Sequence, residues 1–384
     1  MNLDNYKAGA YVQQYEYKSF SPEPINHRWE ISDAEIQNLL SDADRALGEL
    51  NAFSQLVPDV DFFIRMHITK EATQSSRIEG TRTNMEEALL DEQDIAPEKR
   101  DDWEEVQNYI KAINQAITQL ETLPLSNRLL KNTHKTLMQG VRGETKQPGE
   151  FRNSQNWIGA SLKNAIFVPP HHDEVPELMS DLEKFIHNEE NHVPHLIKIA
   201  IAHYQFETIH PFLDGNGRLG RLMIALYFAS YGLLHKPALY LSDYFERHKT
   251  QYIDHLTAVR LNNQIKPWLV FFLIGIQETA KSSIQVFKDI LVLKEKLERE
   301  VLPYFSTRRQ GNAQTLMRYL YQSPALDIKT VAKLLDLKTN TAAALVNDFV
   351  KYGVLHEITG KRRNRVFWFK DYVMIFQQQE VVGS

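Results

Sequence analysis

The stretch HPFLDGNGRLGR, residues 210–221, separates two apolar runs and constrains the fold more than any other part of this 384-residue chain. The first run extends from Ile197 to Phe206, and the second from Leu222 to Phe228. Gly215 and Gly217 permit positive φ angles, so a single helix is not expected to continue through this turn. We therefore predict two apolar helices joined by a tight glycine turn, with the second helix beginning at or just inside it.

The same turn has the chemistry of an anion-binding site. Successive backbone N–H groups converge in such a turn, and the positive end of the following helix adds to their effect. Arg218 and Arg221 are three residues apart, hence on one helix face, and can neutralise polyphosphate oxygens. Asp214 would repel phosphates unless it held a bridging divalent cation such as Mg²⁺. With His210 as a general base, the stretch predicts a nucleotide phosphate site that activates a hydroxyl.

Hydrophobic periodicity indicates a mainly helical chain. It predicts N-terminal helices over about 32–56, 60–79, 83–92 and 101–121, and Thr83 and Glu86 form a capping-box pattern at the third. A second helical unit over about 125–281 is interrupted by GEFRNSQNWIGASLKNAIFVPP, in which strands over about 156–160 and 165–168 form a hairpin. A charged connector helix is predicted over 282–302.

Composition excludes several classes of protein. The net charge of −5 does not favour nucleic-acid binding by bulk charge, and the hydrophobic content of 43% is ordinary for a globular protein. The chain has no cysteine, which rules out a disulfide framework and a thiolate metal site. The most apolar segment, Trp268 to Ile276, is too short to span a bilayer. We expect a soluble cytoplasmic protein without membrane contact.

The motif resembles the signature of the Fic (filamentation induced by cAMP) family, HPFx[DE]GN[GK]RxxR, at every defined position. The hairpin resembles the segment leading into the family's flap, SSRIEG at 75–80 resembles its inhibitory motif [ST]xxxE[GN], and the tail resembles an appended winged-helix domain. The resemblance implies an all-α Fic fold with a small β-hairpin flap and a C-terminal winged helix-turn-helix domain. The expected domains are a helical N-terminal region (1–122), a catalytic core (123–281), a connector (282–310) and the winged domain (311–384).

The family resemblance further implies transfer of AMP from ATP to a hydroxyl side chain of a target protein. His210 would take the hydroxyl proton, and Asp214 would hold Mg²⁺. The expected ATP-binding residues are Gly215, Asn216, Gly217, Arg218, Leu219, Gly220, Arg221 and Tyr252, with Leu256 and Arg260 following Tyr252 on one helix face near the base. The hairpin would dock an extended target segment; its expected docking residues are Trp157, Ile158, Gly159, Ala160, Ala165, Ile166 and Phe167.

The segment SSRIEG places Ser75 and Glu79 four residues apart at the end of a helix that Gly80 terminates. A glutamate in the last turn is poorly matched to the helix dipole, so a compensating partner is expected. The resemblance implies that Glu79 pairs with Arg221 and withdraws it from the γ-phosphate, inhibiting transfer within the same chain. The alternative is an exposed glutamate with no role beyond the helix end.

In the tail, residues of about 312–375 have helix-turn-helix spacing, with a turn through 337–340 and a second helix capped by Gly353. The following HEITGKRRNRVFWF reads as a wing with a basic tip at Lys361, Arg362, Arg363 and Arg365. Asn347 and Asp348 on the second helix disfavour DNA, so recruitment of a target or a homodimer contact is the expected use.

Three functions therefore follow as hypotheses. The first is a protein adenylyltransferase that is inhibited by Glu79 and can also modify itself. The second is removal of AMP at the same site, with Glu79 positioning water. The third is a nucleotide-sensing, DNA-binding regulator. The histidines at 171, 172, 187 and 192 lack a convincing metal-ligand spacing and are interpreted as surface residues.

Overall fold

The computed structural model describes residues 3–57, 59–141, 145–361 and 364–377, and within them the fold is mainly helical, as expected. The N-terminal region contains a hairpin of β1 (Gly9–Gln13) and β2 (Lys18–Pro22), followed by α1 (Ala34–Leu56), α2 (Val60–Ile78), α3 (Met85–Ala88) and α4 (Arg100–Gln119). Helices predicted over 32–56, 60–79 and 101–121 are confirmed to within two residues at each end. The hairpin was not predicted; Phe20 anchors it by donating its N–H to Val168 O, 2.9 Å away.

The predicted capping box is wrong by one residue. Asn84, not Thr83, is the N-cap of α3, and its side chain accepts a hydrogen bond from the Glu87 N–H at 2.8 Å. The Glu87 carboxylate in turn accepts the Asn84 N–H at 3.1 Å. Asparagine is a stronger N-cap than threonine, and Thr83 is buried instead. The predicted helix over 83–92 is consequently only one turn of α-helix.

The central region surrounds the glycine turn with helices. It comprises α5 (Asn127–Leu137), β3 (Ile158–Gly159), β4 (Ala165–Phe167), α6 (Val175–His187), α7 (His195–Ile209), α8 (Asn216–Ser230), α9 (Ser242–Arg247), α10 (Lys249–Asn262) and α11 (Ile265–Glu300). The predicted pair of buried helices corresponds to α7 and α8, both of which are buried along most of their length. Helix α11 continues through residue 281, the expected end of the core, and packs against α1, α7 and α10.

The C-terminal unit consists of α12 (Thr307–Gln322), β5 (Ala325–Asp327), α13 (Ile328–Leu334), α14 (Thr339–Lys351), β6 (His356–Glu357), β7 (Val366–Trp368) and α15 (Lys370–Gln377). Strand β7 lies between β5 and β6 and is antiparallel to both. Helices α12 and α15 pack against α2. None of the helices in the described ranges is both long and apolar enough to cross a membrane.

Candidate active site

The loop between α7 and α8 is fixed by the side chain of Asn216. Helix α7 ends at Ile209; His210, its C-cap, adopts the left-handed conformation (φ 50°, ψ 60°), and Gly215 (φ 74°) precedes α8. Asn216 Oδ1 accepts the Phe212 N–H, and Asn216 Nδ2 donates to Phe212 O, both at 2.8 Å. Asn216 was expected to bind ATP. In the structure its side-chain amide is hydrogen-bonded to the backbone of Phe212 and holds the turn closed.

Two residues outside the motif also hold His210 in place. Arg152 is buried, and its Nε donates to His210 O at 3.0 Å while its backbone N–H donates to Pro211 O at 2.9 Å. Asn156 Nδ2 donates to Phe212 O at 2.8 Å. These contacts support a left-handed conformation that is rare for a residue with a side chain. Sequence reasoning missed both roles, although both residues belong to the polar start of the segment 150–170.

His134 on α5 buttresses the other side of the loop. Its ring stacks on Phe212 with 3.8 Å between centroids, and its Nδ1 accepts the Gly149 N–H at 2.8 Å. Its Nε2 lies 2.9 Å from Asp214 O and donates to it, because Nδ1 is already an acceptor. Burial lowers the pKa of His134 to about 4, so this neutral tautomer persists at neutral pH. His134 was not among the residues predicted for the site.

His210 is poised to accept a proton. Burial, followed by the positive charge of Arg152, lowers its pKa to about 4, although Glu79 and the Glu207 backbone act in the opposite direction. A histidine with this pKa is neutral at physiological pH. Its imidazole can therefore act as a base without first losing a proton.

Asp214 lies at the surface beside the beginning of α8, and its Oδ1 accepts the Gly215 N–H at 2.6 Å. An exposed carboxylate next to a helix N-terminus suits a hydrated divalent cation shared with phosphate.

A separate group of His171, His172 and Asp173 brings three ligand atoms within 4.8 Å of one another. The side chains of His171 and His172 are 30% and 28% exposed, and His171 caps a short 3-10 turn there.

Both arginines of the motif are buried and face carboxylates of the N-terminal region. Arg221 Nη2 contacts Glu79 Oε1 at 2.7 Å, while its Nε and Nη2 donate to Ser75 Oγ and Ser75 O, each at 2.9 Å. Burial opposes the charge of Arg221, but Glu79, Tyr252 and Glu207 together outweigh it and raise the pKa of the guanidinium above its ordinary value. Arg218 Nη1 lies 3.4 Å from Glu105 Oε2 on α4.

Glu105 is also hydrogen-bonded to Thr81, which follows the segment SSRIEG and donates its Oγ1–H at 2.8 Å. Glu105 was not among the residues predicted for the site. The sequence did contain a signal for Glu105, because this glutamate falls on the apolar face of the amphipathic helix α4. Glutamate is rarely buried without a cationic or hydrogen-bonding partner.

Glu79 lies against the first turn of α8. A Cβ atom at Gly217 would come within 2.2 Å of Glu79 Oε1, so glycine is required for this approach. The packing of the Glu79 carboxyl against α8 resists its ionisation, but the positive charges of Arg221 and Arg218 together with the Arg221 hydrogen bond lower its pKa below the usual value. The N-cap Gly215 gives the first turn of α8 no side-chain cap, and an uncapped helix N-terminus favours negative charge. A carboxylate therefore lies at the end of α8 where the sequence predicted phosphate.

Tyr252, expected near the base, is buried in α10. Its hydroxyl is 2.8 Å from His203 Nε2, and its ring stacks on Phe245 with 4.5 Å between centroids. Leu256, one turn further along, is also buried. The guanidinium of Arg260 lies 4.1 Å from the centre of the Phe167 ring of the flap. The structure thus brings Arg260 of α10 against Phe167 of strand β4.

The hairpin exposes apolar side chains. Its strands pair in the register Ile158 with Phe167 and Gly159 with Ala165. Ile166 is 81% exposed, and Trp157 and Ile158 are also exposed, whereas Phe167 is buried. Gly159 (φ 129°) permits the bulge, because a Cβ there would lie 2.9 Å from Ile166 N. Gly159 and Ala160 are exposed and Ala165 is half-buried, so every predicted docking residue except Phe167 has exposed surface. We call these residues of the hairpin the exposed strip.

Comparisons with known proteins identify two family regions. Residues 37–118 match the family described as Fic/DOC family N-terminal, and residues 124–228 match the Fic/DOC family. The chain is 32% identical over 124 residues to protein adenylyltransferase Fic of Aedes aegypti, covering 32% of this chain and 22% of that protein. It is 25% identical over 220 residues to the protein of that name from Drosophila mojavensis, covering 56% and 39%.

The chain thus spans between about a fifth and two fifths of the length of these curated relatives. Among solved structures, a Fic family protein from Desulfovibrio desulfuricans G20 superposes with a TM-score of 0.55 at 19% identity. That superposition covers 89% of this chain and 98% of the other. At this identity, the likeness establishes the fold.

Proposed function

Since this chain belongs to the Fic/DOC family, we propose that it is a protein adenylyltransferase, transferring AMP from ATP to a Tyr, Thr or Ser hydroxyl of a target protein. The observation that carries the proposal is a neutral His210 beside an uncapped helix N-terminus and two buried arginines. This combination offers a base and a binding site for a phosphate chain within one loop. The names of the curated relatives agree with it.

In the proposed reaction, the target hydroxyl attacks the α-phosphorus of ATP and His210 accepts its proton. The new oxygen–phosphorus bond forms as the bond to pyrophosphate breaks, so no protein nucleophile is needed. The N–H groups of residues 215–217 and the side chain of Arg218 would bind phosphate oxygens, and Arg221 would bind the γ-phosphate. Leu219 and Gly220 would contribute by shaping the first turns of α8. Asp214 would hold Mg²⁺, which supplies neutralisation of phosphate charge when bound.

We assign Glu79 as an intramolecular inhibitor. Its carboxylate lies on the first turn of α8 and occupies Arg221, with Ser75 holding the same guanidinium. Gly80 has a φ of 98°, which allows the chain to turn directly after Glu79. ATP bound in a productive position would need Arg221 for its γ-phosphate, and the negative charge of Glu79 would repel that phosphate.

The exposed strip of the hairpin is the proposed target-docking surface. An extended segment can add to a strand edge through backbone hydrogen bonds, with side chains such as Ile166 providing apolar contact. This mode of docking favours extended segments of many sequences. The reacting hydroxyl would then lie near His210, whose turn is held by Asn156 at the start of the hairpin.

Removal of AMP is a second candidate. The Glu79 carboxylate is 41% exposed and its charge affects His210, so it could orient a water molecule for attack on an AMP-modified hydroxyl. This hypothesis and inhibition use the same residue. If Glu79 orients water, its removal should slow the removal of AMP. If Glu79 inhibits transfer, its removal should accelerate the transfer of AMP.

We also propose that the C-terminal unit is a winged helix that recruits protein targets rather than DNA. Lys361 pairs with Asp94 at 2.8 Å, and Asp348 on α14 pairs with Arg309 at 2.6 Å. Arg362 and Arg363 of the predicted wing tip lie outside the described residues. Fluorescence anisotropy with duplex DNA at two salt concentrations tests this proposal, and strong salt-dependent binding would contradict it.

The enzyme proposal is tested with α-³²P-labelled ATP and Mg²⁺. We expect label to remain covalently attached to protein, and we expect His210→Ala to abolish labelling while ATP binding remains close to wild type. His235→Ala is the control because His235 is exposed and outside the motif. Retained labelling in His210→Ala would show that His210 is not the general base. Absence of label with every candidate target would contradict the proposed adenylyltransferase activity.

A further inference from the structure

Glu207 is a buried carboxyl residue that the proposed mechanism does not use. It lies in the last turn of α7, three residues before His210, and is only 8% exposed. Its Oε1 is fully buried and has no hydrogen-bond partner. Because native proteins satisfy nearly all buried polar groups, such an orphaned oxygen points to a partner that binds there.

The geometry directs Glu207 toward α8. A Cβ atom at Gly220 would come within 2.2 Å of Glu207 Oε1, just as one at Gly217 would meet Glu79 Oε1 at 2.2 Å. Gly217 and Gly220 are three residues apart and share one face of the helix. Two carboxylates therefore contact consecutive turns of α8, and that of Glu207 is one turn further from the phosphate-binding end.

Contacts of a neighbouring residue locate Glu207 relative to α10. His203 lies one turn before Glu207 on α7; its Nδ1 is 3.0 Å from Gly220 O, and its Nε2 is 2.8 Å from the Tyr252 hydroxyl. Neither Arg221 nor Arg260 forms an ion pair with Glu207 within 4.0 Å in the described chain. Glu207, which lies against Gly220, is therefore close to Tyr252, the α10 residue expected near the adenine base.

We infer that Glu207 binds the nucleoside portion of ATP by accepting a hydrogen bond from a nucleoside donor, either a ribose hydroxyl or the exocyclic amine. This inference rests on the proposed function, because it takes ATP as the ligand. Glu207 then selects among nucleotides, while His210 carries out the proton transfer. Either donor satisfies the oxygen that the free protein leaves without a partner.

The experiment measures equilibrium binding rather than transfer. Calorimetric titration of the full chain with Mg²⁺ compares ATP with 2′-deoxy-ATP and 3′-deoxy-ATP, which each lack one hydroxyl, and with ITP, which lacks the amine. We expect wild type to bind at least one analogue roughly tenfold more weakly than ATP. In Glu207→Ala, ATP should bind roughly tenfold more weakly, and that preference should disappear.

Glu207→Gln keeps an acceptor oxygen in a side chain of the same shape, so this variant should retain most of the preference for ATP over its analogues. A residue that only stabilised the fold would give no such preference to retain. Thr208→Ala alters a neighbouring buried polar residue and should bind all four nucleotides like wild type. Equal affinity of wild type for all four nucleotides, or a preference that survives in Glu207→Ala, would overturn the inference and leave the proposed function standing. Failure of the wild type to bind ATP at all would overturn both.

Discussion

Arg221 Nη2 lies 2.7 Å from Glu79 Oε1, and the two side chains differ sharply in exposure: that of Arg221 is 2% exposed and that of Glu79 is 41% exposed. The arginine is thus a buried, fixed partner, held additionally by Ser75, whereas the glutamate approaches from an open side. In the proposed mechanism, a phosphate arriving from that side would compete with Glu79 for a guanidinium that is already in position.

Replacement of Glu79 by glycine is expected to raise Mg²⁺-dependent self-labelling from α-³²P-ATP. The change frees Arg221 and removes negative charge from the proposed position of the γ-phosphate. Hydrogen bonds to charged groups contribute about 1.5–3 kcal/mol, and solvent screening of the exposed carboxylate favours the lower end. We expect an increase of roughly tenfold at subsaturating ATP.

Two further variants distinguish the causes of that gain. Glu79→Gln removes the charge without adding glycine flexibility at the helix end, and it should also raise labelling. Adding Arg221→Ala to Glu79→Gly should cancel the increase, because the released arginine produces it. If Glu79→Gly leaves transfer unchanged but slows loss of AMP from a modified target, Glu79 acts in the reverse reaction instead.

Replacement of Arg152 by alanine is expected to reduce transfer strongly while largely sparing ATP binding. Arg152 binds the backbone oxygens of Ile209, His210 and Pro170 and so fixes the turn that carries the base. Arg152→Lys should fail to restore transfer, since one ammonium cannot reproduce the planar set of donors. Single-turnover labelling and nucleotide titration measure the two effects, and normal transfer by Arg152→Ala would show that the turn holds its shape without it.

Glu207 should make folding stability depend on pH. Burial raises its pKa from an ordinary 4.5 to about 7, so the folded state binds the proton more tightly than the unfolded state does. Stability is therefore lost as pH rises from about 4.5 to 7, by about 3 kcal/mol in total. Glu207→Gln, which resembles the protonated form, should be more stable than wild type to urea at pH 8 and nearly equal at pH 5. An equal difference at both values would contradict the raised pKa.

The C-terminal unit should influence inhibition through α2. Phe63 contacts Tyr321 and Tyr372 with 5.6 and 6.4 Å between ring centroids, and His67 contacts Phe376 at 5.2 Å. Phe376→Ala should loosen α2, increasing both hydrogen exchange of its amides and self-labelling. The gain in labelling should be absent in a Glu79→Gly background.

The matched control for this prediction is Tyr352→Ala. Tyr352 is a half-buried aromatic residue of the same unit whose ring contacts Tyr304 and Phe305, not α2. It should leave exchange in α2 unchanged. Equal exchange in Phe376→Ala and wild type would indicate that α2 is stable without this packing.

The sequence by itself determined the local features of this protein. Helical periodicity gave the bounds of α1, α2 and α4 closely, and the glycines of 214–220 predicted the break between α7 and α8, because both signals depend on neighbouring residues. It erred at the cap of α3 by one residue and missed the β1–β2 hairpin, whose anchor on Val168 lies far along the chain. The signature of residues 210–221 predicted a base at His210 and phosphate-binding arginines at 218 and 221, and these roles stay predictions.

The tertiary structure decided which distant groups meet at the site. Glu79 and Arg221 are separated by 142 residues, and Glu105 and Arg218 by 113, so no periodicity could pair them. The family resemblance implied the first of these pairs, whereas nothing in the sequence indicated the second. The packing of α2 and α4 against α8 brings these carboxylates to the arginines, and Arg152 reaches His210 in the same way across 58 residues. Close approach depends on the relative placement of whole helices, which is set by burial of their apolar faces and is not encoded in any one segment.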